Sequence, residues 1–252
     1  MIEVFILSII QGITEFLPIS SSSHLIIVSN YINFESQGLS IDVSLHIGSF
    51  FAVILYFKKD IFNLIKNKDL FFKILISSLP VMLAGFFLLQ FDLIDQLRNI
   101  KVIGWTTLIF GVLLFISDKF KLNKSIDDNF NYKSALFIGV LQILSLIPGV
   151  SRSGITISAA RVLKFNRFDS AKISFLISIP TLAAVSLFGL NNLIVSENIN
   201  FSTLSIVSIL LSFIFSFMTI KYFLKYLKTF SLFIFVLYRV ILGLIILFFA
   251  YL

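Results

Sequence analysis

The sequence predicts an all-α integral membrane protein, and three observations carry that prediction. The 252-residue chain is 58% hydrophobic and only 13% charged, where soluble domains average about 25% charged residues. Its mean hydropathy is +1.02. Its apolar residues gather into stretches close to the roughly 20 residues that a helix needs to cross ~30 Å of hydrocarbon. Cysteine is absent, which excludes disulfides and thiolate-bound metals.

Taken in order, the first apolar stretch, 2–30, is broken near its middle from Pro18 to Ser23. It carries Glu3 near its start and no Lys or Arg precedes it, so it lacks the basic start of a cleaved signal peptide and is expected to stay in the mature protein. Unbroken spans follow at 41–57, 72–91 and 102–117. After the polar linker 119–132, a second stretch, 134–162, is broken from Pro148 to Ser153. Three more spans run over 170–190, 201–220 and 231–251. Proline frees backbone groups that hydrocarbon cannot satisfy, so a break at membrane depth is tolerated only inside protein or beside a watery cavity. Each broken stretch therefore reads as a re-entrant helix-loop-helix hairpin, beside six transmembrane helices in a single transmembrane domain.

Sixteen of the 20 Lys and Arg residues fall in four segments, 58–73, 119–133, 161–172 and 221–228. By the positive-inside rule these face the cytoplasm. The loops 92–101 and 191–200, with only Arg98 and Lys101 between them, then face outward, and every span crosses once. The first 57 residues hold no Lys or Arg. The first hairpin thus enters from outside, the second from the cytoplasm, and both termini lie outside. This is the pattern of an inverted-topology repeat, with halves 1–118 and 133–252 whose broken tips meet near the midplane. A pI near 9.6 is what a nucleic-acid binder would show, but the positions of the charges exclude that partner.

The two tips carry unusual chemistry for such a chain. Gln11 and Glu15 are spaced i, i+4, so they share one face of the incoming half-helix. Ser20, Ser21, Ser22 and His24 open the outgoing half. The second tip offers Ser151, Arg152 and Ser153 between Gly149 and Gly154. Helix N-termini present free N–H groups and a positive dipole end to an anion, and Arg supplies a planar fork for phosphate oxygens. An isolated ionised side chain at membrane depth costs roughly 2.5–3.5 kcal/mol on insertion scales, so Glu15 and Arg152 need each other or a functional cavity. A buried structural ion pair is the plainer reading, but it leaves His24 unexplained. His46 reads as a satisfied interhelical residue, and Arg239 as one that snorkels or pairs with an inner carboxylate.

Phosphoryl transfer needs positioning, charge neutralisation and an in-line nucleophile. On these residues Arg152 is a phosphate clamp, assisted by Ser151, Ser153 and nearby N–H groups. His24 is a general acid/base, with Ser21 and Ser22 as candidate nucleophiles.

The stretches QGITEFLPISSSSHLIIV at 11–28 and PGVSRSGITIS at 148–158 closely resemble the undecaprenyl-diphosphatase family, the bacitracin-resistance type of membrane phosphatase. The likeness extends over nearly the whole chain, through LHIGSFFAV at 45–53, SFLISIPTLAAV at 174–185 and the YR pair Tyr238–Arg239. The resemblance implies hydrolysis of a C55 polyprenyl diphosphate to the monophosphate carrier of peptidoglycan precursors. It maps the family's Glu/Gln-x-x-x-Glu motif onto Gln11 to Glu15, its Pro-x-Ser-Ser-x-x-His motif onto Pro18 to His24, and its Pro-Gly-x-Ser-Arg-Ser-Gly motif onto Pro148 to Gly154. Those motifs make Gln11, Ser20, Gly149, Ser151, Ser153 and Gly154 substrate-binding residues and Glu15, Ser21, Ser22, His24 and Arg152 catalytic ones. The resemblance also implies that Arg152 clamps a diphosphate, that His24 is a rival nucleophile to Ser21 and Ser22, and that a hydrated divalent cation, Mg²⁺ or Ca²⁺, bridges diphosphate oxygens and takes one carboxylate, Glu15. Gln11 stands where many relatives carry Glu, which leaves one fewer carboxylate for it.

The partners expected are the polyprenyl diphosphate, membrane lipids and a second copy of the chain in a homodimer. The expected location is the bacterial cytoplasmic (inner) membrane, with the catalytic pocket open to the extracytoplasmic side. The rival reading is a lipid-phosphate transporter or flippase without hydrolysis, since inverted repeats with broken helices also build transporters.

Overall fold

The computed structural model describes residues 2–32, 39–66, 68–91, 97–120, 124–195 and 203–252. Lys121 and half of the two loops expected to face outward, 92–96 and 196–200, lie outside the described residues. The described elements are helical, joined by turns and one isolated bridge between Lys124 and Phe165. They are α1 (Ile2–Thr14), α2 (Ser21–Ile32), α3 (Leu39–Tyr56), α4 (Lys58–Lys66), α5 (Lys68–Gln90), α6 (Ile100–Asp118) and the single turn α7 (Ile126–Asn129). After them come α8 (Tyr132–Gln142), a 3₁₀ turn (Ile143–Leu146), α9 (Arg152–Val162), α10 (Arg167–Val195), α11 (Thr203–Leu227) and α12 (Phe233–Tyr251).

Five of these, α5, α6, α10, α11 and α12, are long and apolar enough to cross a membrane. The chain is thus a multi-pass membrane protein by length and composition. The expected span 41–57 corresponds to α3, whose apolar part, Ser40–Tyr56, is shorter than those five. Both expected interruptions are present. The first apolar stretch divides into α1 and α2 around Pro18, and the second into α8 and α9 around Pro148.

Small residues let the helices approach closely, as helix contacts in lipid require. A Cβ at Gly48 of α3 would lie 2.4 Å from the Ile209 carbonyl of α11. On the same seam Ser49 Oγ is 3.2 Å from Ser212 Oγ and 3.0 Å from Ser216 Oγ, and Ser212 donates to the Leu45 carbonyl at 2.7 Å. The first arm of each broken pair uses the same device on a long helix of the other half. Gly12 of α1 seats against Phe215 of α11, and Gly139 of α8 against the Ser77 backbone of α5. Beneath both pairs lies an aromatic core in which Phe16 meets Phe175 edge to face, centroids 5.3 Å apart.

The four basic segments converge at one end of the molecule. Lys172 pairs with Asp60 at 2.7 Å. Lys124 exchanges backbone hydrogen bonds with Lys164 and Asn166. Asp118 accepts from Arg167 Nε at 2.7 Å and from the Leu232 N–H at 3.1 Å. Lys228 lies 5.1 Å above the Phe168 ring. Acids and carbonyls there explain why α10 begins at Arg167, earlier than its apolar stretch. Its charged first turns are paired at the polar end of the bundle.

Candidate active site

Each broken helix turns through its tip by the same backbone device. Ser20 and Ser151 immediately precede α2 and α9, and both adopt positive φ, 73° and 70°. Non-glycine residues rarely occupy that region, at a cost of about 1–3 kcal/mol each, so the surroundings must hold both tips in place. Ser151 Oγ caps α9 by accepting from the Gly154 N–H at 3.1 Å.

What holds them is Arg239. Its guanidinium, fully buried, donates to the carbonyls of Pro18 (3.2 Å), Val150 (3.0 Å), Gly149 (2.8 Å) and Thr107 (3.2 Å). The expectation that Arg239 snorkels or pairs with a carboxylate is therefore corrected. Four backbone carbonyls are its acceptors, and it fastens both tips to α6. Ser153 adds a second tie, donating to the Leu17 carbonyl at 2.8 Å.

Between the tips lies Glu15, 7% exposed. Its Oε1 accepts from Arg152 Nη2 at 3.0 Å, across 137 residues of sequence. Its Oε2 accepts from Ser21 Oγ at 2.8 Å and from Gln11 Nε2 at 3.1 Å. Gln11 Nε2 also lies 3.2 Å from His46 Nδ1, so His46, expected only as an interhelical residue, is tied to the carboxylate through one amide. Arg152 donates further to the Ser174 carbonyl at 3.4 Å. Carboxylate, hydroxyl and guanidinium are thus assembled from both halves of the chain.

His24 has partners of its own. Nδ1 is 2.6 Å from the Ser20 carbonyl and Nε2 is 2.5 Å from the Tyr238 hydroxyl. It stands three residues after Ser21, on the same face of α2. Ser22 is exposed, with Ser20 Oγ 3.3 Å away. The glycines sit behind the tips. A Cβ at Gly149, φ +95°, would meet Thr106 Oγ1 at 1.9 Å, and one at Gly154 would meet Arg239 Nη1 at 2.8 Å. Ser174, His46, Tyr238 and Arg239 are the neighbours that sequence reasoning left outside the site. A polar residue on an otherwise apolar helix was the signal available for the last three.

Among the described residues no three His, Cys, Asp or Glu side chains group as a metal cage. The oxygens at hand for a cation are Glu15 and Gln11 Oε1, a buried acceptor without a hydrogen-bond partner among the described residues. One carboxylate and one amide oxygen suit a hydrated cation that takes its other ligands from a bound phosphate.

The family described as bacitracin resistance protein BacA matches residues 4–245. The undecaprenyl-diphosphatase of Pelagibacter ubique (strain HTCC1062) is 51% identical over 97% of this chain and 95% of its own length. Those of Jannaschia sp. (strain CCS1) and Saccharophagus degradans are 40% and 41% identical over 98% and 94% of this chain, and 97% and 93% of their own lengths. With the match nearly end to end and both signature breaks folded into one polar site, the chain belongs to the bacitracin resistance protein BacA family.

Proposed function

We infer that the chain hydrolyses undecaprenyl diphosphate to undecaprenyl phosphate and inorganic phosphate, recycling the lipid carrier of cell-wall synthesis and conferring bacitracin resistance. The relatives' names support the substrate. The observation that carries the chemistry is the placement of Ser21 Oγ 2.8 Å from Glu15 Oε2, with that carboxylate held by Gln11 and Arg152. A hydroxyl within reach of a base that is itself oriented by a third group is the arrangement of an activated nucleophile. A protein that only binds and releases a lipid phosphate has no use for it, which favours hydrolysis over the transport reading.

In this reading Arg152 and the N–H groups opening α2 and α9 hold the diphosphate. Ser21 Oγ attacks the terminal phosphorus and passes its proton to Glu15. The bond from that phosphorus to the bridging oxygen breaks, and the lipid monophosphate leaves. His24 Nε2 then takes a proton from water, whose oxygen displaces Ser21 Oγ, and Glu15 returns the proton to the serine. Mg²⁺ or Ca²⁺, held by Glu15 and Gln11 with substrate oxygens, would supply neutralisation of diphosphate charge. The prenyl chain stays in lipid, at roughly 0.8 kcal/mol per buried CH₂, so recognition falls on the head group.

The topology belongs to the same proposal: six crossings, two re-entrant pairs, an inverted repeat, and a site open to the extracytoplasmic side of the bacterial inner membrane with both termini outside. The convergence of the basic segments at one end supports it. So does the matched packing of α1 on α11 and α8 on α5.

The test is phosphate release from undecaprenyl diphosphate by the purified protein, with and without EDTA, alongside Ser21→Ala, Glu15→Ala, His24→Ala and Arg152→Ala. Release by the wild type, its loss with EDTA and its loss in each variant are expected. Binding of the lipid monophosphate with no phosphate released would hand the protein to the transport reading. Light scattering on the same sample checks the homodimer.

A further inference from the structure

The Tyr238–Arg239 pair is only half used by the site as described. Arg239 fastens the tips, and its neighbour along α12 reaches the imidazole. His24 Nδ1 lies 2.6 Å from the Ser20 carbonyl, and a carbonyl only accepts, so in the neutral ring the proton sits on Nδ1 and Nε2 carries the lone pair. The partner of Nε2, at 2.5 Å, is the Tyr238 hydroxyl, which must then be the donor. The two ring planes are nearly parallel, 10° apart, with centroids separated by 5.7 Å.

We propose that Tyr238 is a positioning residue for hydrolysis, one whose hydroxyl holds the Nε2 edge of His24 in a single ring orientation, the Ser20 carbonyl setting the tautomer. The proposal rests on His24 acting as the base toward water. Two features of the fold make Tyr238 suited to this. It adjoins Arg239, whose four hydrogen bonds lock that turn of α12 to both tips. It is also 42% exposed, beside the exposed apolar residues Ile234, Leu237 and Ile241, so it stands where the lipid-facing surface of α12 meets the polar site. α2 reaches α12 through this hydrogen bond. The hydroxyl therefore orients the imidazole from the side on which a lipid head group enters, and it yields Nε2 to the attacking water once the head group is bound.

Tyr238→Phe removes one hydroxyl and keeps the ring. The chain has two histidines, so ¹⁵N-histidine labelling gives two imidazole signals, and His24→Gln identifies which is which. At a pH where both rings are neutral, His24 is expected as the Nδ1–H tautomer in both proteins, because the Ser20 carbonyl remains, with the Nε2 resonance of Y238F displaced from the wild-type position by loss of the Tyr238 hydrogen bond. Hydrolysis by Y238F is expected to fall about tenfold in kcat, roughly the worth of one hydrogen bond, without a rise in KM and with an unchanged thermal midpoint. An Nε2–H tautomer in the wild type overturns the proposal, as does a Y238F variant with wild-type kcat. His24→Ala separates the two levels. If it hydrolyses like the wild type, the use of His24 in the proposed function fails. If it is inactive while Y238F is unimpaired, only the role of Tyr238 fails.

Discussion

Ser20 and Ser151 occupy equivalent places in the two broken helices. Each has positive φ and stands one residue before the second arm, and each follows a buried glutamine, Gln11 or Gln142, by nine positions. Aligned on that pair, Ser21 corresponds to Arg152 and Glu15 to Leu146. The same backbone turn thus carries a serine hydroxyl and a carboxylate in the first broken helix and a guanidinium in the second.

Equivalence of the turns makes a stability prediction. Ser151→Ala loses the cap on Gly154 N–H and keeps a Cβ in a strained region, so it is expected to destabilise by about 0.5–2 kcal/mol. Ser151→Gly loses the same cap but relieves the strain, and its cost is expected to be a few tenths of a kcal/mol. Thermal unfolding in detergent micelles ranks the two, and an alanine variant as stable as the glycine one would show that the tip is not strained.

A second prediction concerns the Glu15–Arg152 pair, whose side chains are 7% and 14% exposed. Removing one partner strands the other charge, at about 3–5 kcal/mol. Glu15→Ala/Arg152→Ala removes both and is expected to be more stable than either single variant, though equally inactive. Comparison of the three unfolding midpoints decides it. A double variant whose loss equals the sum of the singles would mean the charges are independently solvated.

How much of this was readable from residues alone differs by element. The long helices follow directly from hydropathy, and the tips from proline and serine where hydrocarbon tolerates neither. The meeting of Glu15 with Arg152 also followed, because each charge is too costly alone. Arg239 could not be read. Its acceptors are backbone carbonyls, which no residue type marks, so an arginine with carboxylate partners was the nearest expectation. Tyr238 failed to stand out for a related reason: a tyrosine in an apolar helix resembles interfacial anchoring, and its function depends on a contact 214 positions away. The helix α10 extends three residues ahead of the apolar span 170–190, because Arg167 pairs with Asp118 and Lys172 with Asp60 at the polar end of the bundle.

The orientation makes a third prediction. The native chain contains no cysteine, so Ser22→Cys and Lys164→Cys each report one position, and both residues are exposed. In intact cells an impermeant thiol reagent is expected to label Ser22→Cys and spare Lys164→Cys until the membrane is opened. The reverse preference would invert the topology and turn the site toward the cytoplasm.

The last prediction separates the fastening of the tips from the chemistry between them. Arg239 satisfies four carbonyls with one planar group. Lysine brings a single ammonium with three donors and a different geometry, so Arg239→Lys is expected to leave at least one buried carbonyl unpaired, at about 1–3 kcal/mol. Gly149→Ala attacks the same joint from the other side. Its Cβ would collide with Thr106 Oγ1, and its φ of +95° penalises any side chain. Gly149→Ala/Thr106→Ser keeps the colliding oxygen, whereas Gly149→Ala/Thr106→Ala removes it and leaves the backbone strain and the close approach to the Ile103 carbonyl at 2.8 Å. Partial recovery of stability and hydrolysis is therefore expected with the alanine at 106 alone. Thr106 also donates to the Pro148 carbonyl at 2.6 Å, so that recovery stays incomplete, and equal behaviour of the two double variants would remove the collision as the cause.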